Sequence, residues 1–106
     1  MTRTKYGNVK TEINGYLFDS KREADRYLIL LSMEQAGEIK QLELQPKFPL
    51  LVKTGKAVGF YKADFQYFDV SKKEWVVEDA KGVRTAVYRL KKKIVEEVHG
   101  IKIVEV

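Results

Sequence analysis

The chain has 106 residues, with 20 Lys plus Arg against 15 Asp plus Glu, a formal charge of +5 and no cysteine. That length suits one domain with one core, spanning residues 1–106, and leaves little room for a second. The composition excludes disulfides, a thiolate zinc site and a cysteine nucleophile, and the charge favours a polyanionic partner, an acidic protein surface or an anionic membrane.

No apolar run approaches the roughly 18 residues of a membrane span. The start, Met1-Thr2-Arg3-Thr4-Lys5, is not followed by the apolar stretch of a signal peptide. A soluble, cytoplasmic protein without a membrane partner is the expectation.

Residues 1–18 read as a basic arm leading into a small hairpin, because Asn14-Gly15 between Ile13 and Tyr16-Leu17-Phe18 predicts a tight turn of the primed type. Ser20, with Glu23 three residues later, forms a capping box that opens a helix; good helix formers continue to Ala36, and Gly37 stops it. Ala24, Tyr27, Leu28 and Leu31 make its main apolar stripe. Ile29 and Met33 emerge on nearly the opposite side, which implies a second packing surface, for the N-terminal hairpin or for a second copy of the chain in a homodimer. Residues 42–52 read as one strand with Leu42, Leu44, Phe48 and Leu50 on one side and Gln45 on the other. Pro46 within it implies an edge position or a bulge.

An aromatic-rich run over residues 60–68 and a second run over 75–81 flank the polar turn Asp69-Val70-Ser71-Lys72-Lys73-Glu74, the pattern of a hairpin. Pairing symmetric about Ser71 and Lys72 sets Asp64 opposite Asp79, Lys62 opposite Lys81 and Gln66 opposite Val77, with Glu78 pointing the other way. Like charges directly opposed destabilise a sheet by up to about 1 kcal/mol, so an Asp–Asp pair calls for a compensating cation, either the two lysines or a metal. A slipped register would leave the carboxylates apart on a solvated face, and the pattern leaves both arrangements open. Tyr61, Phe65 and Tyr67 fall on the face opposite the carboxylates and read as core.

Gly82 breaks the strand, Thr85 caps a second helix, and Val87, Leu90, Ile94 and Val98 form its buried stripe up to Gly100. The basic residues Arg84, Arg89, Lys91, Lys92 and Lys93, where they lie off that stripe, either line a phosphate-neutralising groove or form a solvated face on which Glu96 and Glu97 pair with Lys92 and Lys93. Tyr88 suits core or base stacking. His99, at the helix C-terminus with no neighbouring His or Cys, is a poor ligand or base. Residues 101–106 close the chain as a strand reached by a crossover through the second helix. The order predicts an α/β domain with a mixed central sheet flanked by helices.

In that order, Asp64 followed by Asp79-Ala80-Lys81 resembles the PD-(D/E)XK nuclease superfamily, whose resolvase-like core runs α-β-β-β-α-β. Phe18-Asp19-Ser20-Lys21-Arg22-Glu23-Ala24, Leu44-Gln45-Pro46, Tyr61-Lys62-Ala63-Asp64-Phe65 and Glu78-Asp79-Ala80-Lys81-Gly82 resemble more closely a small phage and prophage family of PD-(D/E)XK-like proteins of unassigned function. The likeness covers most of the chain, although Ala63 stands where the superfamily pattern has proline. It implies an endonuclease dependent on Mg2+ or Mn2+ that acts on branched or structured DNA in phage replication and recombination, within the host cytoplasm. Asp64 and Asp79 would be the metal ligands, and Lys81 would orient the attacking water or stabilise the pentavalent state. Glu23 would be a further helix-borne acid and ligand unless it serves only as a cap, and Gln45 an accessory group unless it is merely solvated. Lys62, Arg84, Arg89, Lys91 and Lys92 would contact the DNA. Two other readings stand beside this one: an inactive nucleic-acid-binding module of the same fold, and a small basic adaptor for an acidic protein.

Overall fold

The computed structural model describes residues 10–80 and 85–106. Thr11–Ile13 (β1) and Tyr16–Phe18 (β2) form the expected hairpin, with Asn14 and Gly15 at φ 52° and 82°, the two left-handed positions that a primed turn needs. Lys21–Gln35 (α1) starts where Ser20 Oγ accepts the Glu23 N–H at 3.2 Å, and it ends at Ala36, ahead of Gly37 at φ 77°. Its buried residues are Glu23, Ala24, Tyr27 and Leu30. Leu28 leaves the expected stripe and is exposed, and Met33 packs against the core rather than on a second surface. The reason is tertiary: α1 lies against β1, β2 and the next strand, and the face they cover includes Leu30.

The one strand expected over residues 42–52 is two, Ile39–Leu44 (β3) and Lys47–Leu51 (β4). The run over 60–68 is likewise two, Ala57–Lys62 (β5) and Phe65–Asp69 (β6). β3 pairs with β6 and β4 with β5, both antiparallel, and the offset is kept across the break: Leu44 faces Phe65, and three residues on Lys47 faces Lys62. A single ribbon therefore bends at Gln45-Pro46 and Ala63-Asp64. Pro46 has no N–H to give the ladder, and Gln45 reaches φ 53° beside it. The bend is stitched by Gln45 N–H donating to Asp64 O at 2.9 Å and Ala63 N–H donating to Pro46 O at 3.0 Å. Lys62 accordingly registers with Lys47, and Lys81, its expected partner, lies outside the described residues.

Glu74–Asp79 (β7) pairs with β6 in the symmetric register, from Asp69 opposite Glu74 to Phe65 opposite Glu78. Asp69 Oδ1 closes the turn by accepting from Ser71 Oγ at 2.9 Å and from Lys72 N–H at 3.0 Å. Thr85 Oγ1 accepts the Tyr88 N–H at 3.1 Å and so caps Ala86–His99 (α2), which ends at Gly100 with φ 64°. The chain then returns as Ile103–Glu105 (β8), parallel to β7. The resulting four-stranded mixed sheet has the order β3-β6-β7-β8. Neither helix is long and apolar enough to cross a membrane, among the described residues.

Two cores occupy the two faces. Phe18, Ala24, Tyr27, Leu30, Ile39, Phe65 and Tyr67 make the first, under α1. Leu50, Tyr61, Ala63, Val77, Val95 and Ile103 make the second, under α2. Tyr61 thus joins the α2 side, not Phe65 and Tyr67, because the bend after it resets the alternation. α2 differs from expectation as well: Val87, Leu90 and Val98 are 62, 60 and 41% exposed, and Val95 is the buried residue among those described. The helix is turned by about a third of a turn. Contacts on another face hold it there, with His99 Nε2 donating to Pro49 O at 2.8 Å, the His99 ring 5.6 Å from Phe48, and Tyr88 6.2 Å from Tyr61. Lys92 reaches Glu105 at 3.8 Å and Glu96 accepts the Ile103 N–H at 2.9 Å, in place of the expected pairing along the helix.

Candidate active site

Asp64 sits in the bend, between β5 and β6, and its backbone joins both neighbours. Its carbonyl accepts from Gln45, and its N–H donates to Glu78 O at 3.1 Å. The symmetric offset of β6 and β7, carried one step further, would set Asp64 opposite Asp79; the ladder instead gives way to this crossed bond. The Asp64 side chain turns to the end of β7, where Oδ2 accepts the Ala80 N–H at 2.6 Å. Its carboxylate therefore rests on the peptide that follows Asp79. Asp79 is the last residue of β7, registers with Glu105 of β8, and its carbonyl accepts the Val106 N–H at 2.9 Å.

Asp79 is fully buried, Asp64 is 8% exposed and Glu23 6%. Ionised carboxylates are costly to bury and are kept inside proteins where they are paired, hydrogen-bonded or bound to a cation. Asp64 and Asp79 thereby concentrate acid at one strand end of a chain whose net charge is +5. Glu23, in the first turn of α1, does not join them in a group of three: among the described residues, no three Asp, Glu, His or Cys are gathered so as to hold a metal ion. Two carboxylates offer only hard oxygen donors. That set fits Mg2+, which keeps several waters and is usually held by one or two carboxylates together with substrate phosphates.

Glu78 faces the other core and supplies what the sequence reading missed. Arg26 grips it through two hydrogen bonds, Nε to Oε1 and Nη2 to Oε2, both at 2.7 Å, and Tyr67 Oη also donates to Oε2. Burial, then the bond to Glu78, pushes the Tyr67 hydroxyl above its ordinary range. Its own hydrogen bonds to Glu78 raise Arg26 against the opposing effect of burial. Arg26 lies one turn beyond Glu23, so the pair fixes the helical turn that carries Glu23 onto β7. The readable sign was an acid directly after the apolar run Trp75-Val76-Val77; its partner, 52 residues away, was not readable.

The remaining candidates scatter. Gln45 is exposed in its side chain and acts on Asp64 through its backbone. Lys62 and Arg89 are exposed, and Lys91 and Lys92 half-buried. Lys62 and Lys91 line one cavity of about 320 Å³ together with Phe60, Tyr61, Thr85, Val87 and Tyr88. Lys81 and Arg84 lie outside the described residues. A larger cavity, about 410 Å³, opens beside Ala80 between Arg22, Asp25, Arg26, Ile29 and Val106.

A family model described as "Protein of unknown function (DUF1064)" matches residues 3–103. No curated protein matches the chain, and no solved structure does.

Proposed function

The chain belongs to the DUF1064 family of proteins of unknown function, and from that premise we propose that it is a divalent-metal-dependent DNA endonuclease built on a PD-(D/E)XK core. The observation that carries the reading is the buried acid pair: the Asp64 carboxylate held on Ala80 N–H, beside the fully buried Asp79. The order α1, bent strands, β7, crossover helix α2, parallel β8 supports the finer fold.

In this reading Asp64 and Asp79 hold Mg2+ or Mn2+. The metal, when bound, supplies polarisation of the phosphate and a more acidic water. The chain's own residues do the rest. The Ala80 N–H orients the Asp64 carboxylate, and the bend fixes Asp64 against Gln45. Lys81, two residues past Asp79, contributes a point positive charge to the phosphate as it gains charge. Lys62, Arg84, Arg89, Lys91 and Lys92 neutralise the DNA backbone. Branched or structured DNA is the proposed substrate, in the cytoplasm, and a homodimer would use the exposed Ile29.

The test is cleavage of labelled linear, forked and four-way-junction DNA with Mg2+ or Mn2+, comparing the parent with Asp79→Ala and Lys81→Ala. Metal-dependent cutting lost in both variants supports the endonuclease. Binding without cutting in the parent, unchanged in both, overturns it in favour of a binding module. Glu23→Gln, which keeps a capping-box side chain, and Glu23→Ala, which does not, separate acid from cap: lost cutting in Glu23→Gln with unchanged thermal stability marks an acid at the site, and retained cutting in Glu23→Gln with stability lowered only in Glu23→Ala marks the cap.

A further inference from the structure

We propose that the cavity between β5 and the first turn of α2 seats one unpaired nucleotide, its base against Phe60 and Tyr88 and its phosphate on Lys62 and Lys91; this rests on the nucleic-acid reading above. At about 320 Å³ it lies at the small end of the range for ligand sites, roughly 300 to 1,000 Å³, which suits one nucleotide rather than a segment of duplex.

Its lining combines two chemistries that nucleotides need together. Phe60 is 56% exposed and Val87 62%, so large apolar side chains stand in water around the opening. Lys62 and Lys91 form no ion pair among the described residues, in contrast to Lys92, which approaches Glu105. No acidic residue is among those lining the cavity, and the Lys47 ammonium, 6.0 Å from the Phe60 ring centroid, adds a further positive charge beside it. Tyr88 is a fixed wall, since its hydroxyl donates to Glu105 Oε2 at 3.0 Å and its ring lies 6.2 Å from that of Tyr61.

Tyr61 supplies an independent sign. It is 97% buried, and its hydroxyl has no hydrogen-bond partner among the described residues. A buried hydroxyl left without a partner is costly and calls for one. Tyr61 is among the residues lining the cavity, and the polar edge of a base or a phosphate oxygen is the partner that the proposal assigns to its hydroxyl. Two other cavities among the described residues lack the combination: one carries Asp25 beside its arginines, and another carries Glu34 and Glu43. The faces of a base become available to aromatic side chains only when the base is unstacked, so the seat selects unpaired over paired strands.

The experiment measures fluorescence anisotropy of the full chain, without divalent metal so that nothing is cut, on a fluorescein-labelled forked DNA with unpaired arms and on a blunt duplex of equal length. The parent prefers the fork. Phe60→Ala lowers fork affinity about tenfold while duplex affinity stays within about twofold, the pattern of a lost stacking contact. Lys91→Gln lowers fork affinity as well and flattens its salt dependence. Tyr61→Phe, nearly isosteric, weakens fork binding without lowering the unfolding temperature, so that a folding defect cannot imitate the result. Parent binding to the fork that none of the three variants changes, or losses equal on fork and duplex, overturns the nucleotide seat alone. Absence of DNA binding in the parent overturns the seat together with the nucleic-acid reading.

Discussion

The two faces of the four-stranded sheet are covered by helices of similar length in opposite ways. α1 buries Glu23, Ala24, Tyr27 and Leu30 and is tied to β7 through the Arg26–Glu78–Tyr67 cluster inside the interface. α2 buries Val95, leaves Val87, Leu90 and Val98 in water, and is held by bonds at its margins: Tyr88 to Glu105, Glu96 to Ile103, His99 to Pro49. One face is a core with an ion pair built into it; the other is a helix moored by polar contacts around a small core. The acid pair is thus backed by the rigid half, whereas the basic and aromatic cavity opens on the half with more room to adjust.

The sharpest way to break that comparison is Arg26→Ala, which strands the buried Glu78 carboxylate. Equilibrium urea unfolding is expected to show a loss of about 3–5 kcal/mol, the range for breaking a buried pair from one side. Leu30→Ala, at a fully buried position on α1, is expected to cost about 2–5 kcal/mol. Leu90→Ala, its counterpart by sequence pattern on α2, should stay within about 0.5 kcal/mol, and equal losses at the two positions would erase the asymmetry. Glu96→Ala removes the acceptor of the Ile103 N–H, and the same measurement should read about 1 kcal/mol.

The smallest effect is one of pH. The Lys72 N–H, then the Ser71 hydroxyl, hold the Asp69 carboxyl below its ordinary value of 3.8. A folded-state pKa below the unfolded one means stability that is present above the unfolded value and lost as pH falls through the folded one. Thermal unfolding of Asp69→Asn against pH should therefore show a shallower decline than the parent at the acid end and no change in shape near neutrality.

What the sequence carried was local chemistry. Asn14-Gly15, Ser20, Gly37, Thr85 and Gly100 each act within four or five residues, and each marks its turn or helix end where expected. The hairpin itself was legible, but its register was open between a symmetric and a slipped pairing, and the folded turn closed by Asp69 takes the symmetric one. What escaped depended on distant partners. Residues 42–52 alternate well enough for one strand, and only the simultaneous break in the facing strand makes Pro46 a bend. The apolar stripe of α2 is real, but the strands behind the helix select the face with Tyr88, Val95 and His99. In the candidate site, Asp64 and Asp79 stood out as types and spacing; the Ala80 N–H that holds Asp64, and Arg26 behind Glu78, arise only on folding.

The constant offset across the bend dictates where this chain tolerates changes of length. The loop between β4 and β5 closes on itself through Val52 N–H to Lys56 O and Gly55 N–H to Val52 O, so residues added there lengthen only the tip. Two residues added to each strand of the tip would move its end outward by about 7 Å and leave Asp64 in place. One residue added at Gln45-Pro46 would slip the pairing of Leu44 with Phe65 and turn a whole set of side chains to the wrong face. Insertions, grafts and labels therefore belong at Thr54-Gly55, and the spacing from Leu44 to Lys47 is the length that the fold has to keep.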